Sequence, residues 1–111
     1  MVDLMITKEL NIIYDSTTTL STLYKGDNVR YKIMLDKDIL GDCDTINFNV
    51  YEPNKNIRVF NKNIIDGAVY LPLDNLNQVG IYEIYLWVKN KRNYTQMFYG
   101  KLLLEVKELI G

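Results

Sequence analysis

Hydrophobic and polar residues alternate with a period of two along much of this chain. In the segment NVRYKIML, the apolar residues Val29, Tyr31 and Ile33 alternate with polar ones, and TINFNVYE shows the same alternation. A period of two places successive side chains on opposite faces of a strand, whereas a helix needs a period near 3.6. Both segments therefore predict strands with one face buried and the other in water.

Further segments of the same kind follow in both directions along the chain. LMITKELNIIY predicts a first strand, and NIRVFNKNII and GAVYLPL predict two more on either side of Asp66 and Gly67. Asp-Gly between strands favours a tight hairpin, because both turn positions require positive φ. GIYEIYLWVK and YTQMFYGKLLLEVK follow, with the polar loop NKRN between them. About seven strands at short intervals predict an all-β, antiparallel β-sandwich, and we expect a single domain over residues 1–111.

The stretch LNQVGIYEIYLWVK contains a candidate structural corner. Gly80 and Tyr82 stand at the start of a long predicted strand, just after the loop DNLNQV. This arrangement is typical of a tyrosine corner, in which a tyrosine hydroxyl binds backbone a few residues upstream. Gly80 would let the chain turn closely beneath the ring. Alternation then places Tyr82, Ile84, Leu86 and Val88 in the core.

The same alternation leaves Tyr85 and Trp87 pointing away from the core. On the next predicted strand, we expect Met97 and Tyr99 to face outward and the set beginning with Phe98 to face inward. If the two strands pair, these residues form an outward aromatic patch, and such patches mark contact surfaces. The interface candidates are Tyr85, Trp87, Met97 and Tyr99. The alternative is that a loop or the first strand covers them.

Composition excludes several classes of function. The net charge of −1 gives no basic field for nucleic acid and no polybasic patch for lipid. No apolar run approaches the ~20 residues of a membrane span, and MVDLMITKEL lacks the pattern of a secretion signal. Histidine is absent and Cys43 is the single cysteine, so no histidine-based catalysis or intrachain disulfide is available. We expect no enzyme activity, no cofactor, no metal, and neither nucleic acid nor membrane as a partner.

The acidic segment DKDILGDCD is the strongest candidate for a metal site. Clustered aspartates offer the oxygen ligands that Ca²⁺ prefers. Counted from Asp36, however, the fifth position is Leu40, and no glutamate closes a loop of EF-hand length. We therefore interpret the segment as a solvated turn. A glycosidase carboxylate pair is equally unsupported, because the sequence predicts no cleft to hold a substrate.

The order of these segments resembles the N-terminal domain of phage baseplate upper proteins (the BppU-type family). The matching pieces are ELNIIYD, then DNVRYKIML, then DILGDCDTINFNVYEPN, whose Leu40 and Gly41 resemble the family's Leu-x-Gly element. IIDGAVYLPLDNLNQVGIYEIYLWV follows, with the Asp-Gly hairpin, the loop into Gly-x-Tyr and the long strand. The resemblance covers Lys8 to Glu108 and lies in order and spacing. Family members often continue into fibre-like or helical regions, whereas this sequence stops at Gly111.

The resemblance implies an immunoglobulin-like β-sandwich with a structural role in a phage particle, as part of a baseplate, tail, head fibre or decoration. It implies no catalytic residue or cofactor, and docking to other virion proteins and to copies of itself. The location would be the virion, assembled in the host bacterial cytoplasm. The alternative is a receptor-binding or carbohydrate-binding module, in which Tyr85, Trp87 and Tyr94 stack on sugar rings.

Overall fold

Strands form most of the computed structural model, which describes residues 6–74, 76–92 and 96–108. The alternating segments form strands because their β-branched and aromatic side chains pack well on a pleated, half-buried surface. Within the described residues there are nine strands and one short helix: β1 (Ile6–Asn11), β2 (Ser16–Thr19), β3 (Leu23–Tyr24), β4 (Val29–Met34), α1 (Lys37–Leu40), β5 (Thr45–Tyr51), β6 (Ile57–Asn63), β7 (Ala68–Leu73), β8 (Gly80–Lys89) and β9 (Gln96–Lys107).

The strands form two sheets around one core. The smaller sheet has the order β1-β4-β7, and the larger has the order β2-β9-β8-β5-β6, with β3 also pairing with β9. Every second residue of the central strands is buried, as in β8, where Tyr82, Ile84, Leu86 and Val88 are at most 1% exposed. The predicted all-β class is therefore confirmed in its coarse form, as two facing sheets with alternating inner and outer positions.

The predicted antiparallel arrangement holds for the pairings among β4 to β9, but three pairings that involve β1, β2 and β3 are parallel. β1 runs parallel to β4, and β2 and β3 run parallel to β9. The predicted first strand, LMITKELNIIY, ends in the structure at Asn11. The chain then crosses from the edge of one sheet to the edge of the other. On this path the Ile12 N–H donates to the Met34 backbone carbonyl, and the Asp15 N–H donates to the Tyr99 backbone carbonyl.

The Asp-Gly turn forms as expected, but the hairpin around it does not. Asp66 and Gly67 have φ values of 52° and 73°, and Ile65 and Ala68 exchange two backbone hydrogen bonds of 3.0 Å. Beyond this single bridge the strands separate, since β6 belongs to the larger sheet and β7 to the smaller. The tight turn thus carries the chain from one sheet to the other.

The acidic segment forms the short helix α1 and its flanking turns. The Asp36 carboxylate caps the helix by accepting a hydrogen bond of 2.9 Å from the Asp38 N–H. Leu40 is buried, and Gly41 ends the helix with φ of 56°. The local chemistry of the first aspartate is therefore that of a helix cap.

Candidate functional site: the outer face of the larger sheet

The predicted tyrosine corner is present at the start of β8. The buried Tyr82 hydroxyl donates to the Gln78 carbonyl at 3.1 Å and accepts from the Gln78 N–H at 3.3 Å. Gly80 has φ of 136°, and a Cβ placed there would lie 3.0 Å from the Pro53 ring. Positive φ and this close approach both favour glycine. Gly80 and Tyr82 therefore have a structural role beside the candidate site.

A partly buried ion pair supports the corner from the neighbouring hairpin. Arg58 Nε lies 2.5 Å from Glu52 Oε2, and an Arg58 terminal N–H donates to the Asp74 carbonyl at 2.8 Å. Glu52 is only 9% exposed, so its charge needs this partner. The pair joins the β5–β6 turn to the loop before β8, which fixes the end of the larger sheet.

Four aromatic side chains share the outer face of the larger sheet. Tyr85 and Trp87 of β8 lie there half-buried, as predicted, and Tyr51 of β5 and Phe98 of β9 lie beside them. Ring centroids are 5.3 Å apart for Tyr51–Tyr85, 6.2 Å for Tyr85–Phe98 and 5.2 Å for Trp87–Phe98. We call Tyr51, Tyr85, Trp87 and Phe98 the outer aromatic cluster.

A β-bulge makes the predicted orientation of Met97 and Tyr99 wrong. Leu86 pairs with Gly100 and Trp87 pairs with Phe98, so Tyr99 is an extra residue on β9. Because the bulge changes the parity of the strand, Phe98 turns outward and Tyr99 turns into the core.

Two contacts fix the inward position of Tyr99, which is 0% exposed. Its hydroxyl accepts from the Asp36 N–H at 2.8 Å and donates to the Ile12 carbonyl at 3.2 Å. Met97 is opposite Val88 and packs against the core. Of the four interface candidates, the structure thus brings Tyr85 and Trp87 together and places Met97 and Tyr99 elsewhere.

Sequence reasoning missed Tyr51 and Phe98 for different reasons. The alternation in TINFNVYE already places Tyr51 on the face opposite Phe48, so pairing β5 with β8 would have included it. For Phe98, periodicity gives the wrong face, because the bulge lies between this residue and Gly100. Tyr94, the third predicted sugar-stacking residue, lies outside the described residues.

Charged groups border the outer aromatic cluster on one side. Lys101 Nζ lies 2.7 Å from Glu83 Oε1 and 5.0 Å from the centre of the Tyr85 ring. The hydrogen bond to Glu83, and then the one to Tyr85, raise the pKa of Lys101. Its ammonium therefore stays charged through neutral pH. Next to this pair is a shallow hollow of about 360 Å³, which is lined by Tyr51, Glu83, Tyr85 and Trp87.

The outer face of the smaller sheet has a different character. There the Arg30 guanidinium lies 5.5 Å from the centre of the Tyr70 ring and donates to the Thr7 hydroxyl at 2.9 Å. Lys32 is next to Tyr70 across the strand pair. This face presents the cations Arg30 and Lys32 beside the Tyr70 ring, whereas the larger sheet presents four rings in contact.

The arrangement on the larger sheet is suited to binding. Ring faces, a carboxylate and an ammonium provide stacking and hydrogen bonds to a partner. Elsewhere, burial and then the neighbours Asp44 and Asp42 raise the pKa of the Cys43 thiol, which favours its neutral and less nucleophilic form.

The described residues contain neither a metal-ligand cluster nor a helix that could span a membrane. In residues 6–74, 76–92 and 96–108, no three side chains from His, Cys, Asp and Glu are grouped so that they could hold a metal ion. No helix in this part of the chain is long and apolar enough to cross a bilayer.

Comparison with known proteins assigns no family. Neither a scan of protein-family models nor a search of curated proteins finds a match to this chain. The residues of the outer face and the order of the sequence motifs are therefore the basis for a functional proposal.

Proposed function

We propose that this chain is an immunoglobulin-like attachment domain of a bacteriophage particle, which acts without catalysis by docking to proteins. The observation that carries the proposal is the outer aromatic cluster, in which four rings lie in contact on one outward-facing sheet. Its partners would be other proteins of the particle and further copies of the chain. Its location would be the virion, after assembly in the bacterial cytoplasm.

The immunoglobulin-like part of the proposal is supported by strand order and by the corner. The order β9-β8-β5-β6 in one sheet and β4-β7 in the other agrees with a sandwich in which the chain crosses between the sheets after β4, after β6 and after β7. The Tyr82 corner at the start of β8 is a feature of the same class of domain. The parallel pairing of β1 with β4 is a departure that the proposal must accommodate.

The phage part of the proposal is supported by the order of motifs. The pieces that resemble baseplate upper proteins fall on β4, on the α1 segment, on the Asp66–Gly67 turn and on the corner. These are the positions that set the path of the chain between the two sheets. A shared order of such positions supports a shared architecture and, by analogy, an attachment role.

Docking to protein is supported by the chemistry of the outer face. Tyr and Trp anchor protein interfaces because they bury a large area with few rotatable bonds. Exposed Ile57 and Val59 on β6 continue the apolar surface beyond Tyr51. The ion pair of Lys101 and Glu83 lies beside the rings, as polar groups do at the rim of an interface.

The test is the mass of the purified protein in solution, measured by light scattering on wild type, Trp87→Glu and Tyr70→Glu. We expect wild type to associate and Trp87→Glu to be a folded monomer, because association would bury a carboxylate beside the three remaining rings. Tyr70→Glu is the matched control, since Tyr70 is an exposed ring on the other sheet. Association of Trp87→Glu at the wild-type level would contradict the use of this face for self-docking. If all three are monomers, the partner is another protein.

Carbohydrate binding is the second candidate, and the hollow lined by Tyr51, Glu83, Tyr85 and Trp87 favours it. Ring faces stack on sugars, and the Glu83 carboxylate accepts hydrogen bonds from hydroxyl groups. A glycan array probed with the isolated domain would show hits that Trp87→Ala loses and Tyr70→Ala keeps. An array without hits would count against this candidate.

A further inference from the structure

β6 is an edge strand of the larger sheet. Two backbone hydrogen bonds, one at each end of its ladder with β5, show which residues of β6 direct their N–H and C=O groups toward β5. The Glu52 N–H donates to Asn56 at 2.8 Å, and the Ile64 N–H donates to Asp44 at 2.9 Å. Bonded and non-bonded pairs alternate along an antiparallel ladder. The even-numbered residues of β6 therefore bind β5, and the odd-numbered residues direct their N–H and C=O groups away from it.

The outward backbone groups of Val59, Asn61 and Asn63 thus form a free edge. In the described parts of the chain, none of these groups has a backbone partner. The side chains of all three residues are exposed. An unpaired row of donors and acceptors on a strand of this kind is a template for a further strand.

A cationic hollow lies along the same side of the sandwich. It has a volume of about 480 Å³ and is lined by Arg30, Lys62, Asn63, Tyr70 and Pro72. Arg30 is held by the Tyr70 ring and by Thr7, and Lys62 has no carboxylate partner in the described residues. The two charged groups of the lining are both cations. This favours a carboxylate as the visiting group.

We propose that the free edge of β6 binds an extended segment of a partner protein in which acidic residues alternate with apolar ones. Main-chain hydrogen bonds to Val59, Asn61 and Asn63 would hold the segment. Its residues on the inner side would meet Lys62, which selects carboxylates, and those on the outer side would lie beside Val59, which selects apolar side chains.

A second copy of β6 fits this edge less well than an acidic segment. β6 itself carries Arg58 and Lys62 and no acidic residue, so self-pairing brings cations together along one seam. The inference uses the backbone of β6 and not the rings of the outer aromatic cluster. It therefore stands or falls independently of the proposed function.

The experiment measures amide hydrogen exchange of the isotope-labelled protein in the presence and absence of a defined peptide. The probe is an acetylated peptide of about eight residues that alternates Glu and Val, and its counterpart alternates Lys and Val. We expect saturable binding of the acidic peptide, with slower exchange at the amides of Val59, Asn61 and Asn63. The amides of Phe60 and Lys62 already bind β5 and should change little. Binding that does not slow the odd-numbered amides of β6 more than the even-numbered ones would overturn the proposal of strand addition at this edge.

Variants separate the charge from the backbone. Lys62→Glu should weaken binding of the acidic peptide by about tenfold and make binding of the basic peptide measurable. Lys25→Glu, on the β3–β4 turn, is the control for net charge. Val59→Pro removes an outward N–H without touching the β5 ladder, so it should abolish binding of the acidic peptide while the fold is kept.

Two outcomes of these measurements would overturn the proposal. Equal binding of the two peptides to wild type would show that the cations do not select the partner, and that Lys62 only protects the edge. Slower exchange at the same amides on concentrating the protein alone would make a second copy the occupant.

Discussion

Two pairs of tyrosines show how the same residue serves two regions of this molecule. Tyr82 and Tyr99 lie in the core and are at most 1% exposed, and both hydroxyl groups bind backbone. Tyr51 and Tyr85 lie on the outer face of the larger sheet, where their rings contact each other edge to face. Tyr51 is 37% exposed.

The difference lies in what each hydroxyl does. Tyr99 joins β9 to the segment after β1, through Ile12, and to the helix cap at Asp36. Tyr82 fixes the loop that precedes its own strand. Tyr85 is hydrogen-bonded to the Lys101 side chain on the neighbouring strand, and within the described residues neither outer tyrosine binds backbone, so much of their area remains available to a partner. Core tyrosines should therefore control stability, and outer tyrosines should control binding.

The largest expected effect is that of Tyr99→Ala compared with Tyr85→Ala. Tyr99→Ala removes a fully buried ring and two hydrogen bonds, and should lower the free energy of unfolding by about 3–5 kcal/mol. Tyr85→Ala removes a half-buried ring and should cost about 1 kcal/mol. Chemical denaturation of both variants measures the difference.

Phe98→Ala is the matched control for the bulge, because it is the chain neighbour of Tyr99 on the opposite face. We expect it to cost about as little as Tyr85→Ala. Equal losses for Phe98→Ala and Tyr99→Ala would show that the outer rings also hold the fold together, which would remove the distinction between the two regions.

Alkaline pH should act on the core tyrosines. Burial is the main cause that raises the pKa of Tyr31, Tyr82 and Tyr99 above the usual 10.0. Below pH 10 each is neutral in both the folded and the unfolded chain, so their contribution to stability is complete. Above it the unfolded chain loses protons first, and each group lowers the free energy of unfolding by up to about 1.4 kcal/mol per pH unit until its folded pKa is reached.

Unfolding free energies measured from pH 8 to 11 test this sign. Tyr31→Phe removes one of the three groups and should make the fall above pH 10 shallower than in wild type. The pKa of Lys101 is also raised, by its hydrogen bond to Glu83, so its Met variant is the background in which wild type and Tyr31→Phe are compared. A slope that Tyr31→Phe does not alter would mean that Tyr31 is not shielded from water.

The sequence predicts Tyr82 and fails at Tyr99 for a physical reason. A corner is local, because the hydroxyl of Tyr82 reaches only to Gln78, and the glycine two residues earlier marks the turn. The alternation along β8 is also unbroken, so its inner and outer faces could be assigned correctly from a period of two.

A bulge leaves no such local mark. The segment QMFYGKLL is consistent with either face for Phe98 until β8 fixes where the extra residue falls. The sheet assignment of β6 and β7 has the same origin. The Asp-Gly turn is encoded locally, but the separation of its flanking strands depends on the pairing of β7 with β4, which is distant in sequence. The predicted outward orientation of Met97 and Tyr99 was wrong because one non-local irregularity reversed the parity at the start of β9.

The smallest expected effect is a difference between two core tyrosines in how Tyr→Phe substitution changes the free energy of unfolding. Tyr82→Phe removes a hydroxyl that both donates and accepts, and should lower the free energy of unfolding by about 1 kcal/mol. Tyr31 is as well buried, but its hydroxyl has no hydrogen-bond partner in the residues described. Tyr31→Phe should therefore be neutral or slightly stabilising, since it removes a buried polar group whose bonds are unmade. Denaturation at neutral pH decides the comparison, and a loss for Tyr31→Phe equal to that for Tyr82→Phe would mean that burial of the ring, not the bonded hydroxyl, distinguishes the core tyrosines.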